Sequence, residues 1–216
     1  MAVRVLTMLA ALAGLVLAAT ARARTLEELV LAKINAARAD PRRYAEELRV
    51  YRGYFDGNIV YLPGDYDGLL TREGTAAVDE AIAFLEQQAA MPPLTVAPIL
   101  AQTALDFSRE QGSLGAAGHR AADGSGPGDR VKRHGGDIYV GEAIAFGSSD
   151  AEQVVRQMII DDGVADRGHR RLLFNPRLRF VGIGCAPHRT MEHLCVVDIS
   201  ATPDGRATRV RYAEKP

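Results

Sequence analysis

The order of the periodic segments constrains this fold more than any other feature of the sequence. Early in the chain, apolar residues recur at helical spacing, as Leu26, Val30 and Ile34 do. The two clearest strand-like runs, residues 180–185 and 194–200, come late and are joined by a polar turn, which predicts an antiparallel hairpin. Helices that precede the strands, rather than alternating with them, indicate an α+β fold.

Helix starts are marked by local signals. Thr25 followed by Glu28 is a capping box, and Asp40 before Pro41 predicts a second helix with an N-cap aspartate. Ser149 followed by Glu152 predicts a third capped start, of a helix that ends at about residue 161. Between them, residues 52–70 lose their periodicity and are rich in Gly, Asp and Tyr, so we expect turns in a surface excursion there.

Length and charge limit the classes of function. The chain has 216 residues, which suits one domain, and its formal net charge of -1 provides no cationic face for nucleic acid. Tryptophan is absent and aromatic residues make up 6%, so platforms on which bases could stack are scarce. We therefore expect no nucleic-acid partner.

The N-terminus resembles an export signal. Arg4 precedes the almost wholly apolar residues 5–21, and Ala21-Arg22-Ala23 has the small-x-small pattern of a cleavage site. The alternative is an uncleaved anchor, but 17 residues are at the bottom of the spanning range. The sequence predicts a signal peptide over residues 1–23, a mature chain in the periplasm or outside the cell, and no stable membrane span after cleavage.

Export changes the interpretation of the two cysteines. Cys185 and Cys195 lie in the two runs of the predicted hairpin. In an oxidising compartment, cysteines that face each other across a hairpin are more often bridged than free, so we predict a disulfide. The alternative is a pair of reduced, buried thiols. No CxxC is present, which argues against a zinc knuckle or a redox motif.

Four residues are candidates for chemistry: His119, Glu142, Asp161 and His169. Each also has a plain structural explanation. A histidine in a glycine-rich loop is usually solvated, and a glutamate between apolar neighbours is more often an ion-pair partner. Asp161 could oppose an arginine of the 167–170 segment. No local metal motif such as HExxH is present, so spacing alone leaves the function open.

Seven short motifs in a fixed order strengthen the assignment of these four residues to one functional site. Together they resemble bacterial members of the CAP superfamily (cysteine-rich secretory proteins, antigen 5 and pathogenesis-related 1 proteins) over about residues 26–203. The motifs are Ile34-Asn35-Ala36-Ala37-Arg38, Pro93-Leu94, Gly118-His119 before Asp123-Gly124, Gly141-Glu142-Ala143-Ile144-Ala145, Val154-Val155, Gly168-His169-Arg170 and Val181-Gly182-Ile183-Gly184.

The resemblance implies a fold, a domain plan and a site. The fold is a three-layer α-β-α sandwich, with the CAP domain over residues 25–203 and a tail over 204–216. An insertion-like segment lies at about residues 49–91. In the family, two histidines and two acids meet in a central cleft. By position these are His119 and His169, with Glu142 as the first acid and Asp161 as the second.

Two departures from the family pattern bear on that site. Asp161 stands three residues after Met158, where eukaryotic relatives usually have glutamate after tryptophan. Because aspartate is one methylene shorter, its carboxylate could reach a metal only through water. Ala143 replaces an asparagine that many members carry, so any role of that amide is lost.

The residue types allow binding of a cation. Two imidazoles with one or two carboxylates can bind Zn²⁺ and leave a position for water, and Mg²⁺ or Mn²⁺ would fit less well. We take His119, His169 and Glu142 as the possible metal ligands, although no cofactor is required. Without metal, a histidine–carboxylate pair can still act as a general acid or base.

Three hypotheses remain open at this point. The first is an exported CAP-domain protein, not a conventional enzyme, that binds a small molecule, lipid, cell-envelope ligand or divalent cation in the cleft. The second is a metal-assisted hydrolase of peptide or envelope material, with Glu142 as base. The third is a surface interaction module whose four residues are vestigial. The sequence shows no serine or cysteine placed as a nucleophile, and Ser125 lacks the context of a nucleophile elbow.

Overall fold

The computed structural model describes residues 22–208, so the predicted signal peptide lies almost wholly outside the described part. Within that part the chain forms seven helices and seven strands. The helices are α1 Leu26–Ala39, α2 Pro41–Arg52, α3 Thr75–Gln87, α4 Pro98–Leu114, α5 Pro127–Arg133, α6 Ala151–Ile160 and α7 Gly168–Leu173. The strands are β1 Phe55–Asp56, β2 Ile59–Val60, β3 Leu69–Leu70, β4 Thr95–Val96, β5 Val140–Phe146, β6 Phe180–His188 and β7 Glu192–Ser200.

The main sheet has four strands in the order β4-β6-β7-β5. Strands β6 and β7 form the predicted antiparallel hairpin, and β5 adds antiparallel to β7, while β4 is parallel to β6. Cys185 and Cys195 are direct partners across the hairpin and lie at disulfide distance, with their sulfurs 2.06 Å apart. Strand β5 is therefore an edge strand, and this edge carries Glu142.

Helices cover both faces of the sheet. On one face α4 lies directly against β6, because Gly182 and Gly184 lack side chains that would overlap the backbone of α4. On the other face the apolar side chains of β5–β7 pack against α1 and α6, with α2 and α3 outside them. This arrangement confirms the α+β class and the three-layer α-β-α sandwich.

The predicted helix starts are confirmed at two positions and wrong by one residue at the third. Thr25 and Glu28 form the capping box of α1, and Asp40 accepts a hydrogen bond from the backbone N–H of residue 43. Helix α6 is capped by Asp150, which accepts from the N–H of residue 153, and not by Ser149. Serine and aspartate are equally good caps, so only the backbone path decides between neighbours.

The insertion-like segment contains more order than its composition indicates. Strands β1, β2 and β3 form a small antiparallel sheet, which we call the mini-sheet. Its connections contain Gly57, Gly64 and Gly68, all at positive φ, as turns require. Helix α3 follows and packs against α2. Strands of two residues are too short to show any periodicity, which is why the sequence shows only the turns.

No helix within residues 22–208 has both the length and the apolar character that crossing a bilayer requires.

Candidate functional site

The four candidate residues come from four separate elements. His119 lies in the loop between α4 and α5, Glu142 on β5, Asp161 at the end of α6, and His169 on α7. Their common neighbour is β5, which α5, α6 and α7 all contact. The fold thus brings together residues spread over 50 positions of the chain, and it arranges them as two histidine–carboxylate pairs.

The first pair joins His119 to Glu142. Nδ1 of His119 lies 2.9 Å from Oε1 of Glu142, whose side chain is 1% exposed although the histidine is half exposed. The second oxygen of Glu142 accepts a hydrogen bond from the Arg130 guanidinium. Arg130 also donates to the His119 carbonyl at 3.0 Å and to the Ser125 carbonyl at 3.2 Å. Both carboxylate oxygens of Glu142 are therefore engaged.

Arg130 itself is held in place by packing. It is 6% exposed, and its guanidinium carbon lies 3.5 Å from the centre of the Phe107 ring on α4. Such stacking suits the planar, weakly hydrated guanidinium. Arg130 therefore fixes both members of the first pair, His119 through its backbone and Glu142 through its side chain.

The second pair joins His169 to Asp161. Nδ1 of His169 lies 2.8 Å from Oδ1 of Asp161, and Oδ2 accepts the backbone N–H groups of His169 at 2.8 Å and Arg170 at 3.3 Å. Asp161 adopts a left-handed conformation with φ of 59°, which turns the chain from α6 toward α7. It thus satisfies N–H groups in the first turn of α7 as well as the imidazole.

Neither arginine that could have opposed Asp161 binds its carboxylate through a guanidinium. The Arg170 guanidinium donates instead to the carbonyls of Ile159 at 2.7 Å and Ile160 at 2.9 Å. The Arg167 guanidinium donates to the Asp161 carbonyl at 2.8 Å. The two arginines therefore stabilise the backbone around the pair and leave the carboxylate to His169.

The two pairs lie side by side. The imidazole ring centres of His119 and His169 are 6.3 Å apart, and the ring planes are inclined by 52°. A neutral imidazole whose Nδ1–H is donated to a carboxylate carries its free lone pair on Nε2. The site therefore offers two oriented Nε2 atoms as acceptors or metal ligands.

A buried acid that sequence reasoning missed lies next to Glu142. Asp198 is its cross-strand partner on β7 and is fully buried. Its Oδ2 accepts from the Thr103 hydroxyl at 3.2 Å, while Oδ1 has no partner within the described residues. Burial, and then the negative charge of Glu142, raise the pKa of Asp198 well above its usual value. The signal was a lone charge inside the apolar run 194–200.

The predicted metal ligands stay a prediction. Among residues 22–208, no three His, Cys, Asp or Glu side chains are grouped as a metal site requires. Glu142 was predicted as a direct ligand, but its oxygens are taken by His119 and Arg130. A tetrahedral ion ~2.0–2.1 Å from each Nε2 would hold the two ring centres about 5 Å apart, so the observed 6.3 Å would have to shorten by about 1 Å for both imidazoles to bind it.

Hydrogen bonds connect the insertion-like segment to the residues next to the second pair. Arg167 donates to both oxygens of Glu73, at 2.6 and 2.7 Å, and to Glu80 at 2.8 Å. The carboxylate of Asp162 in turn accepts the N–H groups of residues 72 and 73. The hydrogen bonds from Arg167 and from the N–H of Gly163 lower the pKa of Glu73 to about 2.

The fold and the site define a class: an α-β-α sandwich with two histidine–carboxylate pairs at the edge strand of its sheet. The chain belongs to the cysteine-rich secretory protein (CAP) family, whose model matches residues 31–198. This confirms the family predicted from the seven motifs.

Two solved structures are similar over half of the chain. An outer surface protein from Borrelia burgdorferi matches with 18% identity and a TM-score of 0.42, over 50% of this chain and 77% of that one. An extracellular protein containing an SCP domain from Bacillus anthracis matches with 22% identity and a TM-score of 0.41, over 50% of this chain and 34% of that one. Comparison with curated proteins gives no match.

Proposed function

We propose that this protein binds a divalent cation, Zn²⁺ before Mg²⁺ or Mn²⁺, between Nε2 of His119 and Nε2 of His169. The single observation that carries the proposal is the pairing of each Nδ1 with a carboxylate that is itself 1% exposed. Metal-bound histidines usually donate their other ring N–H to such a partner, which fixes the tautomer and raises the basicity of the ligand.

With two protein ligands, the cation keeps open positions. Zn²⁺ in catalytic sites usually has three protein ligands, and fewer ligands mean weaker binding and more exchangeable water. A small ligand with an oxygen or nitrogen donor would complete the coordination. Imidazole ligands favour Zn²⁺ over Mg²⁺, which prefers oxygen.

In this proposal the carboxylates orient the histidines and do not touch the ion. Glu142 accepts from His119 and Arg130, and Asp161 accepts from His169 and two backbone N–H groups, so both oxygens of each carboxylate already have hydrogen-bond partners. Burial argues against Glu142 as the base of a hydrolase, since its side chain is 1% exposed and a base must reach its water directly. Binding is therefore favoured over catalysis.

Thermal unfolding with added ZnCl₂ tests the proposal. At 100 times its dissociation constant, a cation raises the free energy of unfolding by about 2.7 kcal/mol. For a domain of this size, that raises the melting temperature by about 5–11 °C. His119→Ala and His169→Ala should each abolish the shift. His134→Ala is the matched control, because His134 is a partly exposed histidine 3.6 Å from the Asp106 carboxylate and outside the cleft.

The orienting role of the carboxylate has its own test. Glu142→Gln should weaken Zn²⁺ binding by about 10–100-fold without abolishing it, as changes to outer partners of metal ligands do. Binding should also weaken at acid pH, because a protonated imidazole is not a ligand. A melting curve that does not respond to Zn²⁺, Mg²⁺ or Mn²⁺, or a His134→Ala variant that loses the response, would contradict the proposal.

We also propose that the protein is exported and that its mature chain begins at Arg24. The apolar residues 5–21 before a small-x-small site support this, as do the secretory family and the cysteine pair at disulfide distance. Intact mass of protein from the native host measures it directly. A chain that retains Met1 would refute cleavage.

A further inference from the structure

A cavity of about 600 Å³ adjoins the second pair. One wall is the mini-sheet and the other is formed by β5 and α6. The apolar lining includes Phe55, Val60 and Leu69 from the mini-sheet side, and Ile144, Phe146 and Ile160 from the opposite side. This volume is typical of sites for small molecules, and a mostly apolar lining with a few polar groups is their usual character.

Apolar side chains also remain uncovered at the cavity. Leu69 and Leu70, both lining residues on β3, are 60% and 74% exposed, and Tyr66 in the same loop is 93% exposed. Large apolar side chains that stay exposed close together in the chain commonly mark a binding site. A ligand in the cavity would remove the two leucines from water.

The charges around the cavity are mostly negative. Four carboxylates line it, those of Asp65, Asp67, Asp161 and Asp162, against a single guanidinium, that of Arg156. Arg156 is already engaged: its guanidinium carbon lies 4.2 Å from the centre of the Tyr51 ring, and its Nη1 lies 3.8 Å from Glu152.

Three of these carboxylates accept hydrogen bonds from other groups, and the fourth, Asp67, is the most open to a ligand. Asp161 binds His169 and backbone N–H groups, and Asp162 binds backbone N–H groups. Oδ1 of Asp65 accepts the N–H groups of residues 67 and 68, and both Asp65 and Asp67 are exposed on the mini-sheet side. These exposed negative charges disfavour an anionic ligand and favour a cationic one, most strongly at low salt concentration.

We propose that this cavity binds an amphiphile with an alkyl or other apolar body and a cationic head. The apolar walls contact the body, and the carboxylates, Asp67 foremost, bind the head. The site is separate from the proposed cation site except for its shared edge at Asp161 and His169, and the proposal does not require that metal bind.

Two probes of equal chain length test the proposal. Dodecylammonium and dodecanoate, each below its micelle concentration, are titrated into the mature protein at neutral pH by calorimetry. We expect dodecylammonium to bind about tenfold more tightly. Raising the salt concentration should reduce that preference, because the difference is electrostatic. Tighter binding of dodecanoate, or binding of neither probe, overturns the proposal.

Substitutions locate the site. Leu70→Gln should weaken dodecylammonium binding at least about threefold, since it removes apolar contact area. Leu114→Gln, at a leucine 52% exposed outside the cavity, is the matched control. Both residues are exposed enough for the fold to persist. Asp67→Asn should reduce the preference for the cation, whereas Asp56→Asn, on the same mini-sheet but outside the lining, should not. Equal effects of test and control variants would refute the location.

His119→Ala separates this proposal from the proposed function. His119 does not line the cavity. The variant should lose the Zn²⁺ response and keep its affinity for dodecylammonium within about twofold. If zinc fails to bind the parent protein but dodecylammonium binds with the expected preference, the cavity proposal stands alone.

Discussion

Replacing Arg130 with methionine tests whether this residue supports the first histidine–carboxylate pair. Methionine keeps an apolar chain against the Phe107 ring but removes every donor. The Glu142 carboxylate, 1% exposed, then loses the guanidinium and keeps only His119 as a partner. The carbonyls of His119 and Ser125 lose their donor as well.

The cost follows from leaving a buried charge without its partner. Removing one member of a buried ion pair costs about 3–5 kcal/mol. Because His119 remains as a hydrogen-bond partner of the carboxylate and is itself half exposed, we expect a loss at the lower end of that range, about 3 kcal/mol in the free energy of unfolding. For a domain of this size that corresponds to a melting temperature about 6–12 °C lower.

A double-mutant cycle gives the assay its control. In Arg130→Met/Glu142→Gln the unpaired charge is gone, so the double variant should be less destabilised than the sum of the two singles by at least about 1.5 kcal/mol. Denaturant unfolding of the four proteins measures the coupling. Arg130→Met with a melting temperature within about 2 °C of the parent, or strictly additive free energies, would refute the reasoning.

Three further predictions concern acids and the disulfide. Burial and an adjacent carboxylate raise the pKa of Asp198, so the folded state holds this proton more tightly than the unfolded state does. The free energy of unfolding should therefore fall as pH rises from about 4. Asp198→Asn should abolish that fall in pH-dependent melts and be about 0–1 kcal/mol more stable than the parent at neutral pH. Glu73, held by Arg167 with a pKa of about 2, contributes stability present above pH 4.5 and lost as pH falls through about 2; Glu73→Gln should lose stability at neutral pH and show a flatter acid melt. Reducing Cys185–Cys195, which closes a short loop, should cost about 2–3 kcal/mol in calorimetry, and two free thiols in the unreduced, denatured protein would contradict the bridge.

The sequence predicts those features that depend on neighbouring residues or on the order of motifs along the chain. The capping box at Thr25 and the Asp40-Pro41 start depend on neighbouring residues only, and both are confirmed. The hairpin is confirmed because two β-branched runs joined by one polar turn have few other ways to pair. The four candidate site residues came from the order of the motifs, since no spacing within the chain points to them.

The partners of those residues could not be read in this way. Arg130 lies in a seven-residue helix with no periodicity to assign its face, and its contacts with Phe107 and Glu142 depend on how α5 packs against α4 and β5. Asp198 did give a signal, an acid in an apolar strand, but its position opposite Glu142 depends on strand register. Register is a tertiary property that the hydrophobic pattern limits only to alternate residues.

The insertion-like segment connects the cavity to the second histidine–carboxylate pair. Glu73 binds Arg167, and Arg167 binds the carbonyl of Asp161, so the segment that carries the mini-sheet also holds the backbone of the second pair. The cavity wall and His169 therefore depend on one network of hydrogen bonds around Asp161, the residue in the left-handed conformation. His119 is bound instead by Arg130 on α5, so separate groups of hydrogen bonds hold the two histidines.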